Sequence, residues 1–450
     1  MTPPATAAAR PSRLLERSLR LFTDVRDGEG PQVLLLALNV FLILAAYYVM
    51  KPVREALILA QPGGAEIKSY AMAVQAAMLL AIVPLYGALA RRMDRRRLIN
   101  VVTLFFIACP PVFYVLSGRG IGVGVAFFLW LGIFSLMVIA QFWAYCNDLY
   151  TPEAGKRLFA LIAFGASSGA VFGAFISGHL IHVVGVRPLM LVGSLVLGTS
   201  LVLFNLIDHF SGRTVVRPPH AEDAAKGLGD RNPFAVVLQN RYLLGIALLV
   251  LVLNWVNASG EYILGRIVRE GAEAQVAAGL LERDRTGVFI GGFYASYFQV
   301  VNLLGMLLQL FVVSRLVKTL GVAVAICVLP IVAFGSYLVA VLMPVLAVVR
   351  WVKTAENSLD YSLQNTVNHM LYLPLSREEK YKGKPTIDSF FVRIGDLFSA
   401  ATVYAGTVWF TLGVSGFALM NLVLVGLWLA LAVWVGRRFH RLVPAPQEHP

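Results

Sequence analysis

Apolar runs of roughly 20 residues or more, the length that crosses a bilayer once as a helix, recur along this 450-residue chain. Twelve can be placed, at about residues 32–58, 67–90, 98–117, 121–146, 157–183, 187–209, 239–264, 287–314, 320–343, 345–372, 387–412 and 415–436. A chain built this way is expected to be an all-α integral membrane protein with twelve transmembrane helices. Hydrophobic residues make up 58% and charged residues 14% of the chain, with a mean hydropathy of +0.73, far outside the range of soluble domains. No run follows the basic, apolar, then small-residue pattern of a cleaved signal. The polar, Arg-studded arm at 1–31 is therefore expected to remain as a cytoplasmic segment.

The formal charge of +13 has a membrane explanation, so no nucleic-acid partner is implied. Arg91 to Arg97, Lys156 and Arg157, Arg213 to Arg231, Arg315 and Lys318, and Arg377 to Lys384 all fall in alternate loops on the N-terminal side. The positive-inside rule makes that side the cytoplasm, and an even number of spans puts both termini there. The opposite loops are short and nearly uncharged, except a mixed-sign loop from Glu270 to Arg285 that is expected outside. Cys109, Cys146 and Cys327 sit in apolar runs with no pairing or metal spacing.

The expected organisation is a six-helix half at 32–210, a cytoplasmic linker at 211–236 rich in Pro, Gly and Arg, a second half at 237–437 and a tail at 438–450. Short echoes support two parallel halves: Thr151 to Lys156 resembles Ser376 to Lys380, and Val53-Arg54-Glu55-Ala56 resembles Val268-Arg269-Glu270-Gly271. The stretch from Gly87 to Arg97 resembles the G-x-L-A-D-R-x-G-R-R-R loop of major facilitator transporters, with departures at Arg91 and Asp94. A major facilitator-like bundle is the expected fold.

Polar groups at membrane depth mark function, because they are costly there and usually face a bundle interior or a watery path. The densest run extends from Arg350 to Asp396 and includes Lys353, Glu356, Asn357, Asp360, Gln364, Arg393 and Asp396. Arg350, Asn357, Asp360 and Gln364 recur near helical spacing, with Lys353 and Glu356 placed to pair. The first span ends in Lys51-Pro52-Val53-Arg54-Glu55, two cations against one carboxylate, which suits an anion. The bland alternative ends the helix at Met50 and lets these charges reach the interface. Asn254, Asn257 and Glu261 in the seventh span and Gln299, Asn302 and Gln309 in the eighth read first as interhelical hydrogen-bond glue. Gly165, Ser167, Ser168, Gly169, Gly173 and Gly178 in the fifth read as a close-packing face.

No G-x-x-x-x-G-K-[ST] run, His-Glu-x-x-His pair or paired-cysteine site is present. An enzyme is not expected, nor is any cofactor or metal.

Three stretches resemble the ATP/ADP translocase family, the nucleotide exchangers of plastids and intracellular bacteria. They are Tyr48 to Leu57, Phe142 to Asp148 with Gly155 to Phe159, and Glu379 to Lys384 with Ile387-Asp388. The resemblance implies nucleotide exchange without hydrolysis and a need for charged residues inside the membrane. The family's basic residue in the first span falls on Arg54. Its acidic residue in the fourth falls near Leu131, where no carboxylate exists, and its acidic residue in the seventh near Asn257 with Glu261 one turn on. Its lysine in the eleventh span meets Arg393-Ile394-Gly395-Asp396, with the sign reversed.

The expected protein is thus a secondary active transporter of the bacterial cytoplasmic membrane. It would exchange ATP and ADP by alternating access and work as a monomer. The expected anion-site residues are Lys51, Arg54, Glu55, Asn257, Glu261, Arg350, Lys353, Asp360, Arg393 and Asp396. Arg54 and Asp396 are expected to pair when no substrate is bound. Two alternatives stand beside it: a proton-coupled symporter using a carboxylate among Glu55, Glu261, Asp360, Asp388 and Asp396, and a membrane interaction protein without transport.

Overall fold

The computed structural model describes residues 25–26, 29–211 and 232–443. Most of the 1–31 arm, residues 212–231 of the linker and the tail from 444 lie outside the described residues. Everything regular among the described residues is helical, because each backbone N–H and C=O must be satisfied within its own segment where no water can serve it.

The helices in chain order are α1 (Gly30–Leu59), α2 (Gly64–Ala90), α3 (Arg95–Gly118), α4 (Gly124–Leu149), α5 (Pro152–Val184) and α6 (Pro188–Ser211). After a short helix at Pro233–Gln239 come α7 (Arg241–Ala277), α8 (Thr286–Phe311) and α9 (Val313–Leu342). The composite helices α10 (346–370) and α11 (384–409) follow, and then α12 (Val414–Leu442). Ten of these are long and apolar enough to cross a membrane. The exceptions are α10 and α11, whose expected spans carry four and three charged residues. A π-turn at Asp360–Gln364 breaks α10, and two, at Ile387–Phe391 and Ala405–Trp409, break α11. Such turns concentrate at functional sites.

Helix ends follow local chemistry. Asp94, a departure from the transporter loop pattern, is the N-cap of α3 and accepts from Arg97 N at 3.3 Å. Thr151 caps α5 with Pro152 in its first turn. Asn240 caps α7 through Oδ1, while its Nδ2 donates to Glu379 Oε1 at 2.6 Å and so ties the start of α7 to the segment before α11.

One boundary needs correcting. The mixed-sign loop from Glu270 is helix as far as Ala277, because Arg266 with Glu270 and Arg269 with Glu273 form i,i+4 pairs that carry α7 onward. In α9 the helical backbone breaks at Gly321, where φ is +71°, a conformation that glycine adopts without strain.

The chain divides into two compact units. The first comprises residues 1–53, 84–122 and 130–222. In it α3 packs along α6, joined by the amides of Asn100 and Asn205. α5 lies against α1 through the glycines expected to serve packing. A Cβ at Gly165 would stand 3.0 Å from Ala37 Cα, one at Gly169 2.8 Å from Phe41 Cα and one at Gly173 2.8 Å from Ala45 Cα. The four-residue repeat on both helices makes this a small-residue seam. Gly169→Val would force α5 off α1, and overpacking of this kind costs about 1–3 kcal/mol. A fall in detergent melting temperature is expected, with Gly198→Val as control, since a Cβ at Gly198 meets nothing within 4 Å.

The second unit comprises residues 54–83, 123–129 and 223–450. Within it α7 packs on α11 and α12, α9 on α12, and α8 on α10. Gly395 of α11 meets the backbone of Leu251 and Trp255 on α7. The pairings α1 with α5 and α3 with α6 in the first unit thus recur as α7 with α11 and α9 with α12 in the second.

Candidate membrane-buried charge network

The second unit gathers charge from four helices. α1 does not stop at Met50: it runs to Leu59, and Glu55 is wholly buried within the protein. Arg54 donates Nε to Glu55 Oε1 at 3.0 Å and lays its guanidinium over the Phe128 ring, 4.6 Å from the centroid. The other Glu55 oxygen faces Lys68 Nζ of α2 at 2.8 Å. Lys68 also donates to Glu261 Oε2 of α7 at 3.3 Å and sits over the ring of Tyr294 on α8. One buried ammonium therefore bridges carboxylates from two helices.

From Glu261 the network continues into α10. Asn357 donates Nδ2 to Glu261 Oε1 at 3.3 Å and to the Tyr297 hydroxyl of α8 at 2.8 Å. Lys353 pairs with Glu356 at 2.7 Å, the local pairing their spacing suggests, and Tyr337 of α9 stands beside Glu356 Oε1 at 3.5 Å. Asn257 of α7 donates to Asp360 Oδ2 at 3.3 Å. Asp360 opens the π-turn of α10. The buried atoms Glu356 Oε2, Asn357 Oδ1, Gln364 Oε1 and the Tyr294 hydroxyl have no hydrogen-bond partner.

The remaining expected residues have other partners. Arg350 donates to Ser296 Oγ at 3.2 Å and stacks near Phe293, both on α8. Lys51, in the first unit, sits over the rings of Tyr47 and Tyr48. Arg393 pairs with Asp396 at 3.0 Å. The expected pairing of Arg54 with Asp396 is replaced by local partners, Glu55 for one and Arg393 for the other, because a neighbour on the same helix reaches without ordering a second element. The regular stripe expected along α10 is altered too, since the π-turn re-aims the side chains beyond Leu359: Gln364 donates to Asn368. Of the amides read as glue, Asn257 and Gln309 bond across helices, Gln309 accepting from Thr366. Asn254 and Asn302 bond carbonyls of their own helices, Val250 and Phe298.

Lys68 is the residue that sequence reasoning passed over, together with Glu66, which accepts from the Tyr262 hydroxyl at 2.9 Å. The signal was a lysine at the head of an apolar span, indistinguishable there from an interfacial snorkel. Among the described residues no group of three His, Cys, Asp or Glu side chains converges to hold a metal.

Ten helices long and apolar enough to cross a membrane, with paired charges buried within the second unit, are the kind of architecture a membrane transporter has. Residues 36–355 match the Major Facilitator Superfamily, and the chain belongs to that family. It is similar to ADP,ATP carrier protein 2 of Chlamydia pneumoniae, 22% identical over 362 residues. That match covers 68% of this chain and 64% of the carrier. It is also similar to ADP,ATP carrier protein 2 of Chlamydia trachomatis serovar D, 21% identical over 354 residues, 68% of this chain and 63% of the carrier. The chain spans just under two thirds of the length of these carriers. In fold it resembles a bacterial homologue of the human lysosomal transporter Spinster, with a TM-score of 0.61 and 13% identity, covering 94% of this chain and 100% of the other. It likewise resembles the nucleoside transporter NupG, with a TM-score of 0.61 and 10% identity, covering 91% and 99%. The chain is therefore a divergent facilitator, similar to the ATP/ADP translocases.

Proposed function

We propose that this transporter exchanges nucleotides, ATP against ADP in type, across the bacterial cytoplasmic membrane without hydrolysing them. The observation that carries this reading is the set of cations Arg54, Lys68 and Lys353 at membrane depth, each held by a carboxylate that a phosphate can replace. Arg and Lys give phosphate oxygens charge-assisted hydrogen bonds roughly twice as strong as neutral ones, so a polyphosphate competes for them on equal terms with Glu55, Glu261 and Glu356. Similarity to named ADP,ATP carriers supports the same choice of anion. In this reading the halves 32–210 and 237–437 rock about a midplane site, with both termini cytoplasmic.

The test is counterflow. Purified full-length protein in liposomes should take up labelled ATP several-fold faster with ADP inside than without. Uptake that no internal nucleotide stimulates would remove the exchange reading.

A further inference from the structure

We propose that the first unit binds one water molecule in its core, with the Gln141 amide as the principal ligand, whatever solute the protein carries. Gln141 lies on α4 and is 4% exposed, and neither its Nε2 nor its Oε1 has a hydrogen-bond partner among the described residues. A primary amide carries two N–H donors and an oxygen with two lone pairs. Leaving them unmet inside a membrane-crossing helix, where bulk water does not reach, is costly. Other buried atoms also lack partners, but among the described residues Gln141 is the side chain with both polar ends idle, and it lines a cavity.

That cavity has the size of one water. Its volume is about 20 Å³, against the roughly 10–15 Å³ that a single water needs. The polar part of its lining comes from four helices: Asn39 of α1, Thr103 of α3, Gln141 of α4 and Ser200 of α6. All four residues are buried. The remainder is apolar, with Phe142 and Phe204 in the wall.

This lining selects its ligand. No charged side chain belongs to it, so an ion of either sign would be buried without a counter-charge. A larger polar solute exceeds the volume, and an apolar guest leaves the amide unmet. Water both donates and accepts. One molecule can take a bond from Gln141 Nε2 or give one to Oε1, and spend its others on the Thr103 and Ser200 hydroxyls or the Asn39 amide; buried waters usually make about three such bonds. The consequence is a polar tie for α4. Asn39 already gives its Nδ2 to the Ser200 carbonyl at 2.6 Å, joining α1 to α6, and Asn100 with Asn205 joins α3 to α6. The water adds α4 to that set.

The experiment is a cavity-filling cycle on the purified full-length protein, read as melting temperature in detergent, in wild type and in Gln141→Met. Val138 forms part of the cavity wall, and Val138→Ile adds one methyl group, close in size to a water. In wild type the methyl displaces the water and strands the amide, so the melting temperature should fall by several degrees. In the Gln141→Met background no amide is stranded, and the same change should be neutral or stabilising. A dry cavity would instead be filled with profit in both backgrounds, and stabilisation of both overturns the proposal. Should Val138→Ile overpack the two backgrounds equally or prevent folding, a high-resolution density map of the wild-type protein decides. It must show an ordered water at about 3 Å from Gln141 Nε2 or Oε1. A map with no density in the cavity, or with the amide turned onto a protein group, overturns the proposal.

Discussion

Lys68→Met is expected to lower the stability of the protein by about 3–5 kcal/mol, the usual cost of removing one partner from a buried ion pair. The Lys68 side chain is 3% exposed and serves two carboxylates. Its loss leaves Glu55 with Arg54 and takes from Glu261 the ammonium it faces. Thermal unfolding in detergent should show a large drop in melting temperature, little relieved by salt because the pair is shielded from it. Glu55→Gln added to Lys68→Met should recover part of the loss, since the excess negative charge left by the first change is then cancelled, with Arg54 and Glu261 remaining as one charge of each sign. Glu261→Gln alone should be milder, because Lys68 keeps Glu55. If Lys68→Met melts with the wild type, the bridge between α1, α2 and α7 has no energetic content and the ammonium is free to move. Non-additivity between positions 55 and 68 measures their coupling directly.

The sequence shows why helices form here more readily than how their charges meet. Run length marks ten of the twelve expected spans, and the glycines at 165, 169 and 173 announce a seam because a backbone contact explains their spacing. The π-turn at Asp360 was hidden, since a pattern read at 3.6 residues per turn assumes the ladder it is meant to detect. The extension of α7 was visible in Arg266, Glu270, Arg269 and Glu273, but mixed charge outside an apolar run reads as loop when length alone sets the boundary. Lys68 was hidden for a deeper reason. Its position in α2 fits an interfacial lysine, and only the arrival of Glu55 and Glu261 from α1 and α7 turns it into a buried bridge. Arg54 and Asp396 failed as a pair in the opposite sense. Each had a partner within three residues in the sequence, and the long-range pairing drawn from family pattern overlooked the cheaper local one.

Lys353→Met should be comparably damaging, by about 3–5 kcal/mol, and it separates structure from transport. Its ammonium and the Glu356 carboxylate are 4% and 5% exposed and 2.7 Å apart, so the single change strands Glu356 with the Tyr337 hydroxyl as its remaining contact. Lys353→Met combined with Glu356→Gln removes both charges. Neutral replacement of a whole buried pair is often without cost, so the melting temperature should return most of the way. Nucleotide exchange should not return with it. The restored protein lacks one of the three membrane-depth cations offered to phosphate, and counterflow should show weakened ATP affinity while Glu356→Gln alone, which frees Lys353 from its competitor, binds ATP at least as tightly as wild type. Recovery of both stability and full exchange in the double variant would make Lys353 a packing element of α10, and the phosphate site would then have to be built from Arg54 and Lys68.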